Sequence, residues 1–165
     1  MKVRQGAMVV VLGLALMGCG VQPTGVIDAG EPASGPTRGA RLYFASDGGL
    51  RGVPLLDREI KNLGTVMKLL SAGPSPSEQR DGLTSLVQEL GGYTVRGSGT
   101  RVTVHLDGPY AATGHDQGTG QVVCTLARAQ SVLEPKVRAD DVEVTLRPSE
   151  GAALGPFRCA EFLNG

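Results

Sequence analysis

Apolar and polar positions divide the chain into a short apolar leader, a stretch without periodicity, and a region that switches between strand-like and helix-like repeats. Ala7 to Leu16 carries no charge and follows Lys2 and Arg4. A membrane span needs roughly 20 apolar residues, so a basic start before a shorter run predicts a secretory leader over residues 1–18. From Gly20 to Gly39 the sequence GVQPTGVIDAGEPASGPTRG shows no repeat of apolar positions. Its Gly, Pro, Ala and Thr content predicts a flexible tether over 19–39, with a folded domain over 40–165.

Within the domain, RLYFASDGGLRGVPL (41–55) predicts a hairpin: Leu42 and Phe44 alternate with Tyr43 and Ala45 around the turn residues Ser46-Asp47-Gly48-Gly49. Ile60, Leu63, Met67 and Leu70 recur at helical spacing, and Val66 and Leu69 widen the stripe. Ala72-Gly73-Pro74 ends that helix, and SPSEQRDGL predicts a short helical turn and a loop. A second hairpin spans Tyr93 to Gly108, with Gly97-Ser98-Gly99 as its turn. In it Val102, Val104 and Leu106 point one way, while Arg101, Thr103, His105 and Asp107 point the other. QVVCTLARAQSVL (121–133) predicts a second helix with Val122, Leu126, Ala129 and Leu133 as its apolar stripe, stopped by Pro135. Asp141 to Pro148 predicts a last strand with Val142, Val144 and Leu146 inward. The order β-β-α-β-β-α-β implies an α+β fold, a mainly antiparallel sheet with two helices packed on one face.

Composition sharpens this picture in two ways. Aromatic residues make up 4% of the chain and Trp is absent, so the core is built from Val, Leu, Ile and Ala. The formal net charge is zero, and removing Lys2 and Arg4 with the leader leaves 14 basic against 16 acidic residues. A near-neutral protein has no long-range attraction for polyanions, which argues against a nucleic-acid partner.

Leu16-Met17-Gly18-Cys19 resembles the bacterial lipobox, with Met17 where Ala, Ser or Thr is usual. The resemblance implies a diacylglyceryl thioether on Cys19, cleavage just before it, further acylation such as palmitate, and attachment to the extracytoplasmic face of a cell membrane. Two or three acyl chains hold durably where one does not, at about 0.8 kcal/mol per buried methylene.

The opening RLYFASDGGLRGVPL, the stretch MKLLSAGPSPSEQRDGLTS, the strand TRVTVHLDG and the helix GQVVCTLARAQSVLEPKV occur in that order. Together they resemble the GerMN domain, a small α+β module of bacterial envelope lipoproteins, over about 41–146. An aromatic residue commonly stands where this chain has Cys124, and the tail Pro148 to Gly165, with Cys159, is longer than usual. The resemblance implies envelope assembly or protein interaction and supplies no catalytic residue.

With Cys19 acylated, Cys124 and Cys159 remain, an even number in an exported domain. At 100° per residue Cys124 lies roughly opposite the Val122–Leu126 stripe, where a C-terminal tail crossing the helix could bridge to it. Two free buried thiols are the alternative, and two cysteines with two histidines make a poor zinc site. His105 with Asp107 and His115 with Asp116 are the candidate acid–base or metal clusters; each also fits a polar sheet face or a solvated turn. Gly97-Ser98-Gly99 lacks the G-x-S-x-G spacing of a nucleophile elbow. GHDQGTGQ (114–121) lacks the Lys-Ser/Thr of a phosphate loop, and Asp140-Asp141 fits a solvated turn. The sequence therefore predicts a lipid-anchored, non-enzymatic envelope protein without cofactor or metal, which binds a protein partner. The alternatives are a small-ligand or cell-wall-glycan binder and an envelope hydrolase.

Overall fold

The computed structural model describes residues 39–56, 59–87, 90–110 and 114–163. The expected leader 1–18, Cys19 and the tether up to residue 38 lie outside them.

The chain is α+β. Strands β1 (Arg41–Ser46) and β2 (Gly49–Pro54) form a hairpin turned by Asp47 and Gly48, with Gly49 at φ +102°. Helix α1 (Leu63–Ala72) starts where the Asn62 side chain accepts the Thr65 N–H at 2.8 Å. It ends at Gly73, whose φ of +81° suits a residue without a Cβ. Ile60 precedes the helix and packs against the core from the lead-in. Helix α2 (Pro76–Arg80) is a single capped turn in which Ser75 and Glu78 cap each other's backbone.

Strands β3 (Tyr93–Ser98) and β4 (Arg101–Leu106) make the second hairpin. Its two-residue turn is Gly99–Thr100, one position later than the sequence suggests, because Ser98 still pairs with Arg101. Helix α3 (Gln117–Leu133) begins four residues before the expected start, capped by the Asp116 side chain on Thr119 N–H at 2.8 Å. After a 3-10 turn at Ala139–Asp141 comes β5 (Glu143–Pro148). The tail adds two elements that the apolar pattern does not show, β6 (Leu154–Phe157) and α4 (Ala160–Leu163).

The strands form two sheets: β1–β2 alone, and a four-stranded sheet in the order β3-β4-β5-β6. Pairing is antiparallel except between β4 and β5. Those two run parallel because α3 carries the chain back across the sheet between them. Val102, Val104 and Leu106 on β4 and Val144 and Leu146 on β5 are each at most 3% exposed and line one face. Helices α1 and α3 cover that face, and Leu63 and Gln130 both close on the bare Cα of Gly97.

The separate hairpin is explained by its contacts with α3. The outer edge of β1 lies along the helix, and the helix supplies hydrogen bonds that a third strand would give. Thr125 Oγ1 accepts the Tyr43 N–H at 2.9 Å, and Gln121 Nε2 donates to the Tyr43 carbonyl at 3.2 Å. Gln121 also donates to the Thr84 carbonyl and accepts from Leu86 N–H. Ala45 completes the edge through a bridge to Thr84. Both helix side chains are fully buried, so the paired groups have no water to turn to.

Candidate functional site

The second face of the four-stranded sheet has no element over it among the described residues, and its side chains are polar by the alternation of each strand. The register places them in rows across β3, β4 and β5. Thr94, His105 and Arg147 form one row, Arg96, Thr103 and Thr145 the next, and Ser98, Arg101 and Glu143 the third. Arg158 closes the third row with a 2.7 Å bond from Nη2 to Glu143 Oε1. That bond is the main cause that raises the Arg158 pKa, with the Glu143 charge second. Arg96, Arg101 and Arg147 have no ion-pair partner among the described residues. A chain of zero formal charge thus concentrates three guanidinium groups without ion pairs among the described residues, and His105, on one face.

The tail forms the second cluster. Cys124 and Cys159 are joined by a disulfide with Cα atoms 4.5 Å apart. Cys124 points away from the Val122–Leu126 stripe and is 1% exposed beneath the tail. Beside it, His115 Nε2 lies 3.2 Å from Glu161 Oε2. The His115 ring stacks on Phe162 at 5.7 Å and meets the edge of Phe157 at 4.9 Å. Glu161 Oε1 accepts the Arg158 N–H at 2.6 Å, and this bond, ahead of His115, holds its carboxyl below the usual value. These contacts pin α4 over α3.

The sequence candidates separate on this framework. His105 is exposed in the middle strands of the open face, while Asp107 sits at its end against Gly92, to whose carbonyl it donates its N–H at 2.8 Å. His115 joins the tail, and Asp116 caps α3. Asp140 and Asp141 belong to the 3-10 turn, where Arg138 approaches Asp141 at 4.0 Å. No group of three His, Cys, Asp or Glu side chains among the described residues is placed to hold a metal ion. Tyr110 bonds the Thr119 hydroxyl at 3.4 Å, and burial holds its phenol above the ordinary pKa against that bond.

A cavity of about 70 Å³ opens beside the disulfide, between Tyr43, Arg128, Asp140 and Leu163. Pockets for drug-sized ligands measure roughly 300–1,000 Å³, so this space suits at most a few atoms. The open face was legible as an alternation; what the sequence hid was the tail, whose His115–Glu161 pair joins residues 46 positions apart. A scan of protein-family models finds no match to the chain, and searches of curated proteins and of solved structures find none either.

Proposed function

We propose that this chain is a lipid-anchored cell-envelope protein, attached through Cys19, whose GerMN-like domain binds another envelope protein and performs no catalysis. The observation that carries the reading is the open sheet face, polar and set with Arg96, Arg101 and Arg147 outside any ion pair of the described residues. Faces with exposed arginines suit protein contacts, in which Arg is enriched, whereas small-ligand sites are mostly apolar and concave. Lipid on Cys19 restricts the partner to what is present at the membrane surface.

Two measurements test the reading. Cys19→Ala should abolish the lipid mass and membrane retention; a wild-type chain without lipid by mass spectrometry refutes the anchor. Photoreactive residues placed one at a time across the domain surface should cross-link a partner in intact cells. Silence at every position refutes the interaction role.

A further inference from the structure

Among the described residues the four-stranded sheet ends in two edges, and the hairpin β1–β2 in a third on β2; the three are not alike. In antiparallel pairs, residues alternate between exchanging hydrogen bonds with the neighbour and pointing those groups away from it. Asp107 N–H bonds the Gly92 carbonyl, so Thr94, Arg96 and Ser98 are the β3 residues bonded to β4. Tyr93, Val95 and Gly97 therefore turn three N–H and three C=O groups outward, with no partner among the described residues. On β2 the outward positions are Leu50, Gly52 and Pro54, and Pro54 has no N–H. On β6 a bulge and Pro156 interrupt a four-residue strand. Proline and bulges blunt sheet edges against pairing. Of these edges, β3 alone has six residues without proline.

The edge is also incompletely covered. Tyr93 and Val95 remain half-exposed on the face toward α1, while their β4 neighbours Val104 and Leu106 are buried. On the opposite face the edge presents Arg96, flanked across the hairpin by Arg101.

We infer that β3 accepts an extended segment of a partner protein, one that alternates apolar and acidic residues, as a fifth strand of this sheet. Main-chain bonds to Tyr93, Val95 and Gly97 supply the pairing. Apolar residues of the segment cover Tyr93 and Val95, while at Gly97 Leu63 and Gln130 already fill the core side and the segment meets bare backbone. Acidic residues fall on the open face opposite Arg96. If the segment runs antiparallel to β3, that position is a non-hydrogen-bonded pair, the kind in which side chains approach most closely. Carboxylates there match the arginines already on the face, which a second copy of this chain would only duplicate. The inference rests on the protein-interaction reading above and specifies its surface and the chemistry of its partner.

The test uses the full 15N-labelled chain in detergent micelles. Its probes are an eight-residue peptide alternating valine and glutamate and a second alternating valine and lysine. The glutamate peptide should produce saturable shifts and slowed hydrogen exchange at the Tyr93, Val95 and Gly97 amides, and leave the Gly52 amide unchanged. Arg96→Glu should weaken that peptide by about tenfold and reverse the preference toward lysine, since opposed and like-charged cross-strand pairs differ by roughly this much. Unchanged exchange at the Val102 and Val104 amides checks that the variant is folded. No slowing at the three β3 amides, equal effects at Gly52, or an unaltered charge preference overturns the inference. Protection that grows with protein concentration without peptide overturns the proposed occupant in favour of a second copy. A photoreactive residue at position 94 then separates this inference from the broader reading. If it is silent while other positions capture a partner, the β3 edge is wrong and the interaction role stands.

Discussion

Replacing Gln121 by leucine keeps most of the side-chain volume and removes all three of its hydrogen bonds, to Tyr43, Thr84 and Leu86. The Thr84 carbonyl keeps the Ala45 N–H at 2.9 Å, so its loss is small. The Tyr43 carbonyl is buried and has no second partner among the described residues, and such an orphan costs about 1–3 kcal/mol. The Leu86 N–H is partly buried and adds up to about 1 kcal/mol, while a buried leucine in place of an amide returns a comparable amount. The net expectation for Gln121→Leu is a loss of about 2 kcal/mol. With a slope of about 1.5 kcal/mol per molar urea, the unfolding midpoint falls by more than 1 M. Thr125→Val, which strands the Tyr43 N–H, should act similarly. The double variant should lose less than the sum of the two, because both bonds hold the same residue of β1 to the same helix. Urea unfolding followed by circular dichroism measures all three. A change in Gln121→Leu no larger than that of an exposed substitution such as Lys68→Ala would refute the view that the helix completes the β1 edge.

Cys159→Ser should lower stability by about 2–4 kcal/mol, since the bridge closes a loop of sequence separation 35, and should free α4 while the β4–β5 amides stay protected from exchange. Quantitative labelling of both thiols in the native wild-type protein would contradict it. Because the Glu161 carboxyl is held below its ordinary pKa in the folded state, its contribution is present above the unfolded value and is lost as pH falls through the folded one. The His115 and Phe162 resonances should report loosening of the tail in that acid range, and Glu161→Gln should remove the transition. Gly120→Ala reverses the usual helix rule: alanine ordinarily gains about 1 kcal/mol over glycine, but this Cβ would stand 2.7 Å from Leu50 Cδ1 and 2.9 Å from Phe162, so thermal melting should show a net loss.

Much of the fold is written in local patterns. The alternation at Val102–Leu106 and Val142–Leu146 names the buried face of the sheet, and Leu63, Met67 and Leu70 name the buried stripe of α1. The surroundings of α3 are harder to read from a one-sided stripe, because sheet, hairpin and tail bury the helix on nearly every side from Gly118 to Ala127. A signal was present: Gln117 to Ala127 contains no charged residue, as expected of a helix covered all round. The pairing of β1 with helix side chains, and of His115 with Glu161, joins distant residues through single polar contacts and leaves no periodic trace. The open face was visible as polar alternation, but its arginines came together only through register across three strands.

The brace on β1 also orders events in time. Tyr43 is bonded to residues 78 and 82 positions later in the chain. A two-stranded hairpin by itself is marginal in water. At about 5–20 residues per second, ribosomal synthesis leaves the first hairpin waiting several seconds to more than ten before its helix exists. Closing so long a loop also slows the search relative to local contacts. The hairpin that is synthesised first is among the last parts able to settle, and until then its edge is open to whatever strand is nearest.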